Sequence, residues 1–170
     1  MIMDYTFRQA TLNDAPYIWE ILKAGIERRR MDGSSQWQDG YPNPEVVATD
    51  IKKGTGYVLT NNDTIAGYCA VIVNDEPEYA NIKGEWLTNG NFIVYHRVAI
   101  SEQFLGKGLA QQMLVYIEAF ALNKNIKSLK ADTNHDNAGM LKIFEKLGYT
   151  YCGEVTFRGS ARKAFEKVLK

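Results

Sequence analysis

An α/β fold with a mixed sheet is the class this sequence predicts, and three observations predict it. Strand-like and helix-like periodicities follow one another in the order β-α-α-β-β-β-α-β-α-β-β. One apolar, β-branched run, residues 91–100, ends in a turn whose glycines, Gly106 and Gly108, stand two apart, and an apolar pattern at helical spacing follows at once. The 170 residues, 45% of them apolar, suffice for one packed core, so a single domain over residues 1–170 is expected, without internal repeat or low-complexity segment.

The elements follow in order. Residues 4–8 alternate and form the first expected strand; Thr11 then stands as a helix N-cap with Asp14 in the first turn. Ala15, Ile18, Leu22 and Ile26 recur at helical spacing, which predicts a helix to about Arg30. Residues 33–42 are rich in turn formers yet contain Trp37 and Tyr41. Such aromatics either pack down on the neighbouring helices or face a substrate. Asn43-Pro44 is an N-cap with proline at the first helical position, opening a short helix that ends near Lys53 before Gly54. Residues 57–60 and 64–73 are strand runs joined by the turn residues Asn61, Asn62 and Asp63. Residues 75–90 are polar, hold Trp86, and read as a long connection or an irregular strand extension. After the strand at 91–100, Leu109, Met113, Tyr116, Ile117 and Phe120 make one helical stripe. A strand over 126–131, a helix carrying Met140, Leu141, Phe144 and Leu147 and closed by Gly148, and two strands over 149–156 and 161–169 complete the chain.

Composition narrows the partners. Twenty basic and twenty acidic side chains cancel, and no like-charge run exceeds Arg28-Arg29-Arg30, which suits the negative end of a helix. Neither nucleic acid nor a membrane surface is an expected partner. Cys69 and Cys152 lie in strand-like runs and read as buried thiols of a reducing compartment. No leader and no membrane-length apolar run is present, so a cytoplasmic protein is expected.

The strand, glycine turn and helix at 91–120 form an anion-binding pattern. Glycines let backbone N–H groups approach a phosphate, and the first N–H groups of a helix lack internal acceptors. Two phosphate motifs fail here. A dinucleotide fingerprint needs a glycine where Gln111 stands, and a P-loop needs Lys then Ser or Thr where Leu109 follows Gly108.

Gln103-x-x-Gly106-x-Gly108 resembles instead the acetyl-CoA signature Q/R-x-x-G-x-G/A of the GNAT family of N-acetyltransferases. Asn137, followed after six residues by Phe144-Glu145-Lys146-Leu147-Gly148-Tyr149, resembles that family's second signature. The resemblance spans nearly the whole chain. It implies the acyl-CoA N-acyltransferase fold: a central, mostly antiparallel sheet whose fourth and fifth strands splay apart, with helices on both faces. It implies acetyl-CoA as co-substrate, with no metal. The backbone of Val98, Ala99 and Ile100 would meet the acetyl and pantetheine groups, while Gln103, Phe104, Leu105, Gly106, Lys107, Gly108 and Leu109 would take the pyrophosphate. Asn137 would contact the pantetheine arm, and Phe144 stands where family members often carry a tyrosine that protonates the leaving thiolate. Phenylalanine cannot, so another group, water or unassisted departure must serve. Leu105 likewise replaces an often basic residue.

The implied reaction moves an acetyl group to a primary amine of a small molecule or peptide by direct attack. His96, two residues before Val98, is the candidate base or proton relay, because imidazole titrates near neutrality; the other reading is a histidine satisfied by a neighbour. In a regular strand Tyr95 faces the opposite side, and a bulge here would change which side faces a ligand. Asp132 and His135 are weaker candidates. Trp37, Tyr41 and Trp86 are the expected acceptor-site residues. Two zinc-capable histidines and two strand cysteines make no metal site. Two rivals stay open: a non-catalytic acyl-CoA-binding or sensor domain, kept in play by Phe144, and a nucleotide-binding oxidoreductase with Asp132 as ribose acid. A homodimer is expected by resemblance alone.

Overall fold

Strand β1 (Tyr5–Gln9) pairs antiparallel with β2 (Gly56–Asn61), which turns through a hairpin into β3 (Thr64–Val73). The computed structural model describes residues 4–170; residues 1–3 of the expected domain lie outside them. Between β1 and β2 stand two helices, α1 (Ala15–Met31) and α2 (Pro44–Lys53). Asn43 caps α2 through its Oδ1, which accepts from Val46 N at 2.9 Å, and Gly54 closes the helix in the left-handed region at φ 73°. The polar 75–90 segment contains a 3-10 turn at Pro77–Asn81 and a strand of two residues, β4 (Lys83–Gly84), that the sequence pattern does not announce. Then come β5 (Ile93–Ile100), α3 (Leu109–Asn123), β6 (Ser128–Thr133), α4 (Ala138–Leu147), β7 (Thr150–Phe157) and β8 (Ser160–Val168).

In hydrogen-bonded order the strands run β1-β2-β3-β5-β6-β8-β7-β4. The β1–β2, β2–β3, β6–β8, β7–β8 and β4–β7 pairs are antiparallel, and β5–β6 is parallel. With the two-residue β4 counted, β5 and β6 are the pair the sequence numbers fourth and fifth. Their register covers Ile93↔Leu129 and Val94↔Lys130, only the first two residues of β5.

The chain divides into two compact units. One runs to Val71 and takes in Arg97–Tyr116; the other comprises Ile72–His96 and Ile117–Lys170. The first is centred on Ile18, Leu22, Trp37, Val47, Val58, Tyr68 and Ala99. In it the stripe that the sequence places on α1 is the face that is buried, as the 3.6-residue period requires. The second holds Tyr79, Val94, Val155 and Ala164, with Ile72, Ile82, Trp86, Phe92 and Phe157 packed against them.

Two devices fix the 75–90 segment within the second unit. Gly84 and Gly153 face each other so closely that a Cβ on Gly153 would lie 2.2 Å from the Lys83 carbonyl oxygen, so only glycine fits. Further along, the wholly buried carboxylate of Glu166 accepts from Leu87 N (2.7 Å), Thr88 Oγ1 (2.5 Å) and Ser128 Oγ (2.7 Å). A buried carboxylate is tolerated when its lone pairs are filled, as here.

At the start of α1, Asp14 Oδ2 accepts from Thr11 N at 2.7 Å and from Arg8 Nη1 at 2.8 Å. The hydrogen bond from Arg8 outweighs burial and pulls the Asp14 carboxyl from its ordinary 3.8 down to about 2. A depressed carboxyl pKa stabilises the fold above the unfolded value, and the effect fades as pH falls toward 2. Because Arg8 is 41% exposed, solvent screening reduces the term to about 1 kcal/mol. Asp14→Asn should therefore destabilise by about 1 kcal/mol at pH 7 and by almost nothing near pH 2, read from urea melts across that range.

Candidate active site

In the first unit, β5 leaves its last residue, Ile100, and enters a 3-10 turn at Glu102–Phe104. Phe104 and Leu109 are buried and pin the ends of a turn whose intervening residues are exposed. Gly106 (φ 77°) and Gly108 (φ 73°) are both left-handed, and the space a Cβ would occupy at each is open. Glycine is selected there by backbone conformation and leaves an unobstructed approach to the main chain. The helix α3 begins at Leu109, so its first donors lie at this turn, at the positive end of the helix dipole. The residue types fit an anion bound by backbone.

The arginine run at the end of α1 has three separate tasks. Arg30 pairs with Glu27, Arg29 stacks on the Trp37 ring at 3.7 Å, and Arg28 reaches out to the turn. Arg28 Nη2 donates to the Ile100 carbonyl (3.3 Å) while Nη1 lies 3.5 Å from Glu102.

A bulge interrupts β5. From Phe92 to Ser101 the chain advances nine residues, whereas from Ala66 on β3 to Asn74 just past its end it covers eight. Both spans are closed by the backbone bonds Asn74 N to Phe92 O (3.0 Å) and Ser101 N to Ala66 O (2.8 Å). One residue of β5 is therefore extra, and Arg97, a non-glycine residue at φ 57°, takes up the left-handed conformation such a bulge needs. That conformation costs a residue with a Cβ about 1 kcal/mol, so its surroundings must hold it.

They do so with polar bonds. Arg97 Nε and Nη2 donate to Asp50 Oδ2 (3.0 Å) and Oδ1 (2.7 Å), Arg97 Nη1 donates to the Tyr41 hydroxyl, and Tyr68 donates to Asp50 Oδ2 at 2.5 Å. Burial opposes the charge on Arg97, but Tyr41 and Asp50 outweigh it and keep the pKa above its ordinary value. Burial, with Asp50 beside it, pushes the Tyr68 phenol upward, so it stays a donor.

His96 lies in the second unit. Its Nε2 is 2.6 Å from Glu76 Oε2, and its Nδ1 is 3.9 Å from Asp132 Oδ2, which accepts from the Tyr79 hydroxyl at 2.6 Å. Burial first, and Asp132 second, push the Tyr79 phenol well above its ordinary range. Arg162 Nη1 stands 3.9 Å from Asp132 Oδ1. The rings of Tyr79 and Phe157 flank His96 at 6.3 and 6.0 Å. Trp86 donates from Nε1 to the Tyr79 carbonyl at 2.9 Å and lies under Lys130 Nζ, whose pKa burial lowers. An imidazole paired with a carboxylate on one nitrogen can pass a proton through the other.

The remaining candidates fall elsewhere. Trp37 is buried at 5% exposure in the first core, packed on α1. Tyr41 is half-buried with its hydroxyl tied to Arg97. Asn137 is the N-cap of α4, its Oδ1 accepting from Met140 N at 3.1 Å. Phe144 is 1% exposed between the rings of Tyr149 (4.9 Å) and Phe165 (4.7 Å), and the Tyr149 hydroxyl meets that of Tyr95 at 2.9 Å. His135 sits on the surface, 3.8 Å from Glu154. Both cysteines are buried free thiols.

Sequence reasoning missed Glu76, Tyr79, Asp50 and Arg97. Each meets its partner across a long stretch of chain, so no local spacing marks it.

The model of the acetyltransferase (GNAT) family matches residues 22–149. The chain belongs to the GNAT acetyltransferase family. A GNAT-family acetyltransferase from Streptococcus agalactiae is 33% identical, with 100% of this chain and 99% of that one covered and a TM-score of 0.88. The uncharacterized N-acetyltransferase YesJ of Bacillus subtilis (strain 168) is 24% identical over 148 residues, 85% of this chain and 81% of YesJ. The fold is also that of yncA from Salmonella typhimurium, solved with its cofactor acetyl-CoA (17% identity, TM-score 0.68, 98% and 94% covered). The GNAT fold expected from the two motifs is thus the fold of this chain.

Tyr79→Phe should leave Asp132, whose side chain is 3% exposed, short of its nearest donor and lower stability by about 1–3 kcal/mol. A denaturation midpoint equal to that of the wild type would remove Tyr79 from this network.

Proposed function

We propose that the protein transfers the acetyl group of acetyl-CoA to a primary amine of a small molecule or peptide. The observation that carries this reading is the left-handed Gly106 and Gly108 turn between β5 and α3, whose backbone lies open to an anion. Gln103, Phe104, Leu105, Gly106, Lys107, Gly108 and Leu109 would hold the pyrophosphate. The backbone of Val98, Ala99 and Ile100 would hold the acyl end. Bound acetyl-CoA would supply an activated acyl carbon and a thiol leaving group.

The chain's own residues do the rest. The N–H groups of Val98 and Ala99 are fixed dipoles that favour negative charge on a carbonyl oxygen, because they need no reorganisation as charge develops. His96 takes the proton an ammonium must lose before it can attack, and Glu76, at 2.6 Å, orients the ring. Trp86 and Tyr79 supply apolar and aromatic walls for an acceptor beside His96. Asn137 and Phe144 contribute through α4: the first sets where the helix starts and the second fixes it in the core. Phe144 has no proton to give, so the thiolate leaves to water or unassisted.

Calorimetric titration with acetyl-CoA should give micromolar binding, with no response to NAD. Gly108→Trp should abolish that binding in a folded protein, since its side chain would fill the open approach; unaltered affinity would sink the site. His96→Ala should lower acetylation of a responsive amine by about a hundredfold and flatten the acidic limb of the pH–rate profile, and Glu76→Gln, which loosens the hold on the ring, should lower the rate by less. A profile unchanged by both substitutions would dismiss His96 as the base. Binding of acetyl-CoA without acetylation of any amine in a broad panel would favour a non-catalytic acyl-CoA sensor.

A further inference from the structure

We infer that Asp50 and Arg97 are positioning residues for acetyl transfer: their bidentate pair holds the bulge of β5 so that the next peptide N–H, that of Val98, points at the acyl oxygen. The inference rests on the proposed function and deepens it.

Three observations carry it. First, the strained residue and the charged residue are the same one. Arg97 sits at φ 57°, and its ψ sets the plane of the peptide that ends in the Val98 N–H. Whatever fixes the Arg97 side chain thereby limits the direction of that donor. Second, the guanidinium is held from two directions, donating two bonds to Asp50 on α2 and one to Tyr41 in the 33–42 segment, and Tyr68 on β3 fixes Asp50 in turn. Side-chain exposure is 9% for Arg97 and 7% for Asp50, so the pair is shielded from solvent and salt. Third, a buried ion pair adds little net stability compared with apolar side chains of the same volume, because desolvation offsets attraction. Its value here is geometric. Gly56 shows how closely the cluster is packed, since a Cβ there would stand 3.0 Å from the Tyr68 hydroxyl.

The pair touches no reacting atom in this scheme. It acts through the backbone, and that separates it from a merely structural role. A structural pair, when broken, would loosen binding of CoA and acetyl-CoA alike, whereas a positioning pair would spare CoA and spoil polarisation of the acyl carbonyl.

The test uses acetyl-CoA labelled with carbon-13 at the acetyl carbonyl, together with unlabelled CoA, on the wild type and on Asp50→Asn. In the wild type the bound carbonyl resonance should move downfield of its free position. In Asp50→Asn it should return most of the way, while CoA affinity stays within about twofold, and turnover of a responsive amine should fall about ten- to hundredfold with KM for acetyl-CoA little changed. Arg97→Lys should behave as Asp50→Asn does, because an ammonium keeps the charge but cannot reproduce the two-pronged contact. Tyr41→Phe, which leaves the Asp50 pair intact, should give a smaller loss and serves where Asp50→Asn fails to fold. A full downfield shift retained in these variants would overturn the inference, as would an equal loss of CoA and acetyl-CoA affinity. A wild type that binds CoA but shows no carbonyl shift would overturn it while sparing the cofactor site. A wild type that binds no CoA would bring down the proposed function, and the positioning role with it.

Discussion

One residue too many in β5 is the constraint on which the site depends. A regular strand opposite β3 would keep strict alternation through Val98, Ala99 and Ile100, and residues on either side of position 97 would point as a two-residue repeat dictates. The extra residue breaks that repeat and must be accommodated in a left-handed conformation, which only glycine adopts without strain. An arginine stands there instead. The sequence thus accepts a local penalty of about 1 kcal/mol in exchange for a side chain that can be gripped from α2 and the 33–42 segment. The parallel pairing of β5 with β6 stops after Val94, so the main chain beyond it has peptide groups that are not committed to that neighbour.

The same logic of backbone binding explains why the two sites differ in character. On the proposed reading the turn at Gly106 and Gly108 would recognise an anion through main-chain dipoles and need little from side chains, so Leu105 would be tolerable where a basic residue is often found. The surroundings of His96 are the reverse. There the polar groups are side chains: Glu76 and Asp132 flank the ring, Tyr79 and Arg162 stand at Asp132, Phe157 lies beside the imidazole, and Trp86 packs on Tyr79.

What was legible in the sequence followed from distance along the chain. Asn43 before Pro44, Gly148 after Leu147, and Gly106 with Gly108 are short-range signals, and the caps and turns they announce are present. The order of elements was readable for the same reason, apart from β4, whose two residues are too few to show a period. Glu76 lies 20 residues from His96, and Asp50 lies 47 from Arg97; such pairings arise only when the chain is folded. Trp37 illustrates a different limit. An aromatic in a glycine-rich segment is equally compatible with packing and with binding, and its left-handed backbone at φ 64° and its burial could not be read from neighbours.

The buried carboxylate of Glu166 has a consequence for how this scaffold can diversify. It clasps the backbone at Leu87 and Thr88, while the Gly84 and Gly153 contact clamps the chain just before and the Asn74 bond to Phe92 ties the base. The stretch from Asp75 to Trp86 is consequently moored at its margins, and within it Glu76, Tyr79 and Trp86 add ties of their own to His96, Asp132 and the Tyr79 carbonyl. Asp75, Glu78, Ala80 and Asn81 are exposed and take part in none of these ties, so variation can gather at those four positions without loosening the frame that carries them.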